Sequence, residues 1–267
     1  MMNDGLDTRD VTTDDPMARV EHVPDAALAR RGPSRLQAVG EAVLCSSYPT
    51  QIVAATALAL LGVRAGTDSG ALDPTFVIAV STLDAVLVLG LMVYFLARRG
   101  ESLTDLWIGR RPVWREGLLG ATLVVPVTLG VALIVLGARA LAPTLHNVPV
   151  NPMTALMADP RLAAVFALVV VVAGGIREEM QRAFQLHRLS PGVMTPAAAL
   201  VVTSLTFGLG HLVQGRDVAV ATGALGVLWG ALWLGRRSVV AAAVCHALFN
   251  LGQVAAGWAA SHAAGAS

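Results

Sequence analysis

An all-α bundle of about seven transmembrane helices is the fold this sequence predicts, and three observations carry it. Of 267 residues, 55% are hydrophobic and only 14% charged, with a mean hydropathy of +0.65, whereas a soluble domain is roughly a quarter charged. Several apolar runs approach or exceed the roughly 18 to 20 residues that cross a bilayer core. Basic residues, finally, fall in alternate connections between those runs. The net charge of +1 offers no polycationic surface for nucleic acid. Cys45 and Cys245 both lie in apolar stretches, which argues against a disulfide framework.

The elements follow in order. Residues 1–35 carry acidic and basic clusters and no apolar run, so they read as a solvated, disordered cytoplasmic tail and not as a signal peptide. Seven spans come next, at about 36–63, 75–97, 116–141, 161–188, 196–213, 218–234 and 238–259. The first is interrupted by "CSSYPTQ" (45–51), where Pro49 starts a shorter spanning helix after an interfacial one that begins near Leu36. The proline-rich stretch 143–160 reads as an extracytoplasmic loop between front helices one to three (36–142) and a four-helix core (161–259), with 260–267 as a short tail.

Loop charge sets the expected orientation. Arg30, Arg31 and Arg35 precede span one, Arg98, Arg99, Arg110, Arg111 and Arg115 lie between spans two and three, Arg188 follows span four, and Arg236 and Arg237 separate spans six and seven. "RAGTDSGALDP", "APTLHNVPVNPMTALMADP" and "QGRD" are poor in basic residues. The positive-inside rule then puts the N-terminus in the cytoplasm of a multi-pass cell-membrane protein.

Against that apolar background, ionisable residues cost at least about 2.5–3.5 kcal/mol each at the centre of a span. Span four nevertheless continues as "GGIREEMQRAFQLHRL" (174–189). Glu178 and Arg182, four apart, share a helix face, and Glu179 and Arg182 are three apart. In span five "SLTFGLGHL" sets Phe207 four residues before His211, and in span seven "VCHALFNLG" sets His246 four before Asn250. Measured from the basic loops at about 1.5 Å per residue, Glu178, His211, His246 and Asn250 stand roughly 18, 22, 12 and 18 Å deep. One polar cavity between spans four, five and seven, below mid-membrane and open toward the cytoplasm, is the expectation. Each group alone also has a bland reading: an ion pair with Arg182 or Arg177 for the carboxylates, and interhelical hydrogen bonds for the histidines and Asn250. Asp84, in the middle of span two, reads as a structural partner for Arg177. Gly223, Gly226 and Gly230 in "GALGVLWG" read as close helix packing.

"EEMQR", "FGLGH" and "HALFN" together resemble the three motifs of the CPBP family, the CAAX-protease and bacteriocin-processing intramembrane endopeptidases, over about residues 161–253. "SLTDLWIGRRP" resembles the family's cytoplasmic connection before span three. Two residues, Met180 and Gln181, separate the glutamate pair from Arg182 where the family has three. Matching the first family glutamate to Glu178 leaves Arg182 one position early, while keeping the arginine in place would shift Arg177 and Glu178 onto the pair. The first register is preferred, because activity in the family rests on the first glutamate.

The resemblance implies a glutamic endopeptidase acting on a membrane-associated peptide or protein. Glu178 would activate water held by His211, His246 and Asn250 would polarise the scissile carbonyl, and Glu179, Arg182 and Phe207 would support them. The chemistry fits the residue types, since desolvation makes a carboxylate a better base and preorganised donors hold an oxyanion. No cofactor is implied. Two histidines and a glutamate are also a zinc ligand set, which keeps a zinc protease as the alternative. A catalytically silent scaffold or bacteriocin-immunity protein of the same fold is the non-enzymatic reading. A transporter would show paired half-repeats or midplane helix breaks as its signature, and ranks last.

Overall fold

Prolines and small polar caps start most of the helices, because proline lacks the N–H that a first turn leaves unpaired and a cap side chain satisfies the others. The computed structural model describes residues 32–67, 72–190 and 192–264. In chain order these form α1 (Arg35–Leu44, capped by Ser34), α2 (Tyr48–Leu60), α3 (Pro74–Arg98, capped by Asp73) and α4 (Leu103–Trp107). They continue with α5 (Val113–Leu141), α6 (Thr154–Ala158) and α7 (Pro160–Val169), which runs through a π-helical stretch, Val170–Arg177, into α8 (Glu178–Leu189). Last come α9 (Pro196–Leu209), α10 (Arg216–Arg236) and α11 (Val240–Ala264). Among the described residues the only pairing of extended chain is one bridge, Gly66 with Leu72. The tail expected over 1–35 lies almost wholly outside the described residues.

Among the described residues six helices are long and apolar enough to cross a bilayer: Arg35–Leu60, Pro74–Arg98, Val113–Leu141, Pro160–Leu189, Arg216–Arg236 and Val240–Ala263. The fifth expected span is shorter than the sequence predicts. α9 has 14 residues, about 21 Å against a core of about 30 Å. Gly210 caps it, so His211 sits in a turn past the helix end. α11 runs five residues beyond the expected 259, to Ala264. The 143–160 loop is not bare either, since α6 lies in it with Leu156 and Met157 buried.

The break in the first span falls where the sequence places it, at Cys45–Ser47, with Ser47 in the left-handed region at φ 69° and Pro49 in the first turn of α2. α1 is not the separate interfacial helix expected. It packs along α8, and its buried Glu41 takes Arg99 Nη2 at 2.5 Å and Arg188 Nε at 2.6 Å. An inward-facing carboxylate with two arginine partners ties α1 into the bundle as the first half of one broken span.

The expected basic connections do gather at one end. Arg236 pairs with Glu116 at 2.7 Å, and Arg111 donates to the carbonyl of Arg236 at 3.3 Å. Gly109, at φ 70°, faces the carbonyl of Arg237 where any side chain would collide. Leu96, Leu106, Trp107, Phe184, Leu189 and Trp233 form one buried cluster here, and the indoles of Trp107 and Trp233 each donate to a backbone carbonyl, of Met180 and Leu106, at 3.2 Å. Apolar and aromatic side chains therefore fill much of this end of the bundle.

Glu101 lies in the connection at the same end, outside the spans. Burial alone would raise its pKa, but hydrogen bonds from His187 and Arg188 hold it down, from 4.5 to about 2. A depressed carboxylate stabilises the fold above its unfolded pKa and loses that contribution as pH falls toward the folded one. Melting in detergent should therefore drop between about pH 5 and pH 2, and Glu101→Gln should lower the pH 7 melting temperature and flatten that acid limb. Identical acid limbs in the two proteins would exclude Glu101 as the cause.

Candidate active site

The site is built around the π-helical stretch. Its wider i→i+5 winding coincides with Gly174 and Gly175, which let α11 come close. A Cβ on Gly175 would lie 2.6 Å from that of Ala247, and one on Gly174 would lie 2.7 Å from Asn250 Nδ2. That approach carries His246 and Asn250 of α11 up to the first residues of α8.

The two glutamates then part. Glu179 is buried, 2% exposed. It accepts hydrogen bonds from Arg182 Nη1 and from His246 Nδ1, the latter at 2.9 Å. Glu178, its side chain 19% exposed, faces a cavity of about 700 Å³. Its oxygens stand 3.8 Å from His246 Nε2 and 3.9 Å from Arg177 Nη2, beyond hydrogen-bond range. Arg177 is committed elsewhere: to Asp84 at 3.1 Å, as the sequence suggested, and to Ser47 at 2.8 Å and Gln181 at 2.7 Å.

The two registers left by the short interval before the arginine differ in which arginine would serve the glutamate pair. Arg182 pairs with Glu179 at three residues' distance, so the one-residue shortening leaves the second glutamate and the arginine on one face. Arg177 points away, toward Asp84.

Aromatic rings hold the histidines. Trp229 of α10, fully buried, stacks on His246 at 3.9 Å and 16°. Phe207 of α9 stands edge-on between the two histidine rings, 4.9 Å from His211 and 6.2 Å from His246. The Arg182 guanidinium covers the Phe207 face at 4.3 Å. His211 donates from Nδ1 to the carbonyl of Phe207 at 2.9 Å, a bond that leaves its Nε2 as the acceptor. Asn250 donates to the carbonyl of Val170 at 3.4 Å.

Glu178, Arg182, Phe207, His211, His246 and Asn250 all line the one cavity, and Glu179 sits behind it. The direction of the cavity differs from the expectation. Its lining reaches only to Gln185 toward the arginine-bearing end but extends to Leu72, Asn151, Met153 and Gln214 at the opposite one. The aromatic and aliphatic cluster around Trp107 and Trp233 fills the space where the cytoplasmic opening was expected.

Sequence reasoning passed over Trp229, which sits in the glycine stripe read as packing. That stripe does pack: Gly226 lies against Ser204 of α9 and Gly230 against Leu200 and Arg182. The available signal was a tryptophan on the same face as those glycines, one turn after Gly226. Among the described residues no three His, Cys, Asp or Glu side chains converge as a metal-ligating group.

An unbonded carboxylate 3.8 Å from the His246 ring, in a cavity that His211 also lines, can activate water and receive an oxyanion. Residues 160–252 match a family model described as Type II CAAX prenyl endopeptidase Rce1-like. The match starts at the first residue of α7 and ends two residues past Asn250, so it contains Glu178, Glu179, Arg182, Phe207, His211, Trp229, His246 and Asn250 but not Asp84 or Ser47. No curated protein and no solved structure matches the chain.

Proposed function

We propose that this multi-pass membrane protein, whose residues 160–252 match the Type II CAAX prenyl endopeptidase model, is a peptide hydrolase of that family and a glutamic endopeptidase in which Glu178 is the base. The observation that carries this reading is the division of labour in the pair. Glu179 spends its charge on Arg182 and His246, while Glu178 faces the cavity with no hydrogen bond.

In the proposed reaction Glu178 takes a proton from water as its oxygen attacks the scissile carbonyl carbon. The free Nε2 of His211 orients that water. The carbonyl π electrons move to oxygen, and the resulting oxyanion accepts from His246 Nε2–H and from the Asn250 amide. His246 Nδ1–H is donated to buried Glu179, so in this reaction His246 has a hydrogen on both ring nitrogens, Nε2–H being the one turned to the oxyanion. Collapse of the tetrahedral intermediate breaks the C–N bond, and Glu178 passes its proton to the leaving amine. Trp229 and Phe207 fix the ring planes, and Arg182 balances Glu179.

The substrate in this reading is a membrane-associated protein or peptide, of CAAX type or a bacteriocin or leader peptide, and membrane lipid is the other partner. The basic end is assigned to the cytoplasm of the cell membrane, with the N-terminus on that side. The silent-scaffold reading drew on the short interval before Arg182; the preserved Glu179–Arg182 pair weakens it.

No metal takes part in this scheme. Hydrolysis in detergent should therefore persist after prolonged exposure to EDTA and phenanthroline. Loss of activity that added zinc restores would move the assignment to a zinc protease, with His211, His246 and Glu178 as the groups to test.

A further inference from the structure

The break "CSSYPTQ" takes no part in the hydrolytic centre, yet it borders it. Ser46, Ser47, Tyr48 and Gln51 line the same cavity as Glu178. Ser47 Oγ meets Arg177 at 2.8 Å and Gln181 at 3.1 Å, the residues one before and three after Glu178. The break therefore lies at the depth of the proposed base.

Most of the cavity wall is buried or half-buried, and its exposed positions are Tyr48, Gln51, Gly210, Val213 and Gln253. All but Gln253 stand along one seam, between the start of α2 and the turn that ends α9. The seam is bridged by the Tyr48 hydroxyl, which donates to the carbonyl of Thr206 at 2.7 Å. Tyr48 is itself 41% exposed.

Polar groups placed here are costly in hydrocarbon unless something satisfies them. Gln51 is exposed, and Ser47 does not cap the first amides of α2 with its side chain. An extended polypeptide brings the complementary need, one unpaired N–H and one C=O per residue, and must be extended for its scissile bond to reach a base. The seam thus joins a polar edge open to the bilayer with the chamber that holds Glu178.

We propose that the seam between α2 and α9 is the lateral opening by which an extended, membrane-anchored polypeptide segment reaches the cavity. The Ser46–Gln51 break hydrogen-bonds the backbone of that segment, and the Tyr48–Thr206 bond gives way to admit it. The inference rests on the proteolytic reading and names how its substrate is held.

The test places a photo-crosslinking amino acid at Gln51, and separately at Leu133, which is 71% exposed on α5 and lines no part of the cavity. Both are made in the Glu178→Gln background, with a farnesylated CAAX peptide in phosphatidylcholine vesicles as the probe. Capture is expected at position 51 and not at 133. In otherwise native protein Gln51→Leu should raise KM about tenfold while kcat stays within about twofold, the pattern of lost binding without lost chemistry. Cleavage of the peptide by native protein without capture at 51, or equal capture at 133, overturns the seam and leaves the protease reading standing. Capture at 51 of a peptide that native protein never cleaves overturns the protease reading and leaves the seam. Neither capture nor cleavage overturns both.

Discussion

Glu178→Gln should lower hydrolysis by about 100-fold to 10,000-fold, the usual worth of a general base. The substitution keeps the size and hydrogen-bonding capacity of the side chain and removes its ability to take a proton. Stability should hardly change, because Glu178 makes no hydrogen bond and lies partly open to the cavity. Glu179→Gln is the informative companion. Its carboxylate is the partner of Arg182 and His246, so its loss should lower the melting temperature and reduce turnover less than Glu178→Gln does. Turnover on purified variants, compared well below both melting temperatures, separates the two. An inactive Glu179→Gln beside an active Glu178→Gln would mean that the base is the buried glutamate. Full activity in both would return the pair to a structural role.

Arg182→Gln should be the most destabilising single change in the centre. It strands Glu179 in a buried site with His246 as its remaining partner, and breaking a buried pair from one side costs about 3–5 kcal/mol. The guanidinium lost over the Phe207 ring adds to the damage. For a chain of this size the melting temperature should fall by about 6–20 °C. Joint replacement, Glu179→Gln with Arg182→Met, should recover much of that loss, since a neutral amide beside an apolar side chain leaves no buried charge unpaired. A double variant no more stable than Arg182→Gln alone would mean that the arginine acts through packing and not through charge.

How much of this was legible depends on the kind of information each feature needs. Spans were readable because apolar length is written along the chain. The layer of polar groups was readable because depth follows from counting residues to a basic loop. Asp84 and Arg177 could be matched in advance as a candidate pair, although Arg177 was equally open to the neighbouring glutamates. What periodicity reports is a face, not the neighbour it meets. The bond from His246 to Glu179, the stacking of Trp229 on His246 and the turn of Asn250 toward Val170 depend on how helices pack, and the sequence does not record that. The π-helical stretch was hidden for a different reason. It lies in "VVVAGGIR", where nearly every residue is apolar or small, so a change of winding leaves no break in the pattern. The end toward which the cavity runs depended on a plug of side chains from α3, α4, α8 and α10 that no single segment announces.

The π-helical stretch also bears on the short interval before Arg182. A π turn winds wider than an α turn, and it ends at Arg177, immediately before the glutamate pair, while "EEMQR" is one residue shorter than the spacing it resembles. If the wide turn makes up for the missing residue, family members aligned across the pair should need two gaps of opposite sign, one on each side of the glutamates. An alignment that needs a gap on one side only would mean that the two features are unrelated.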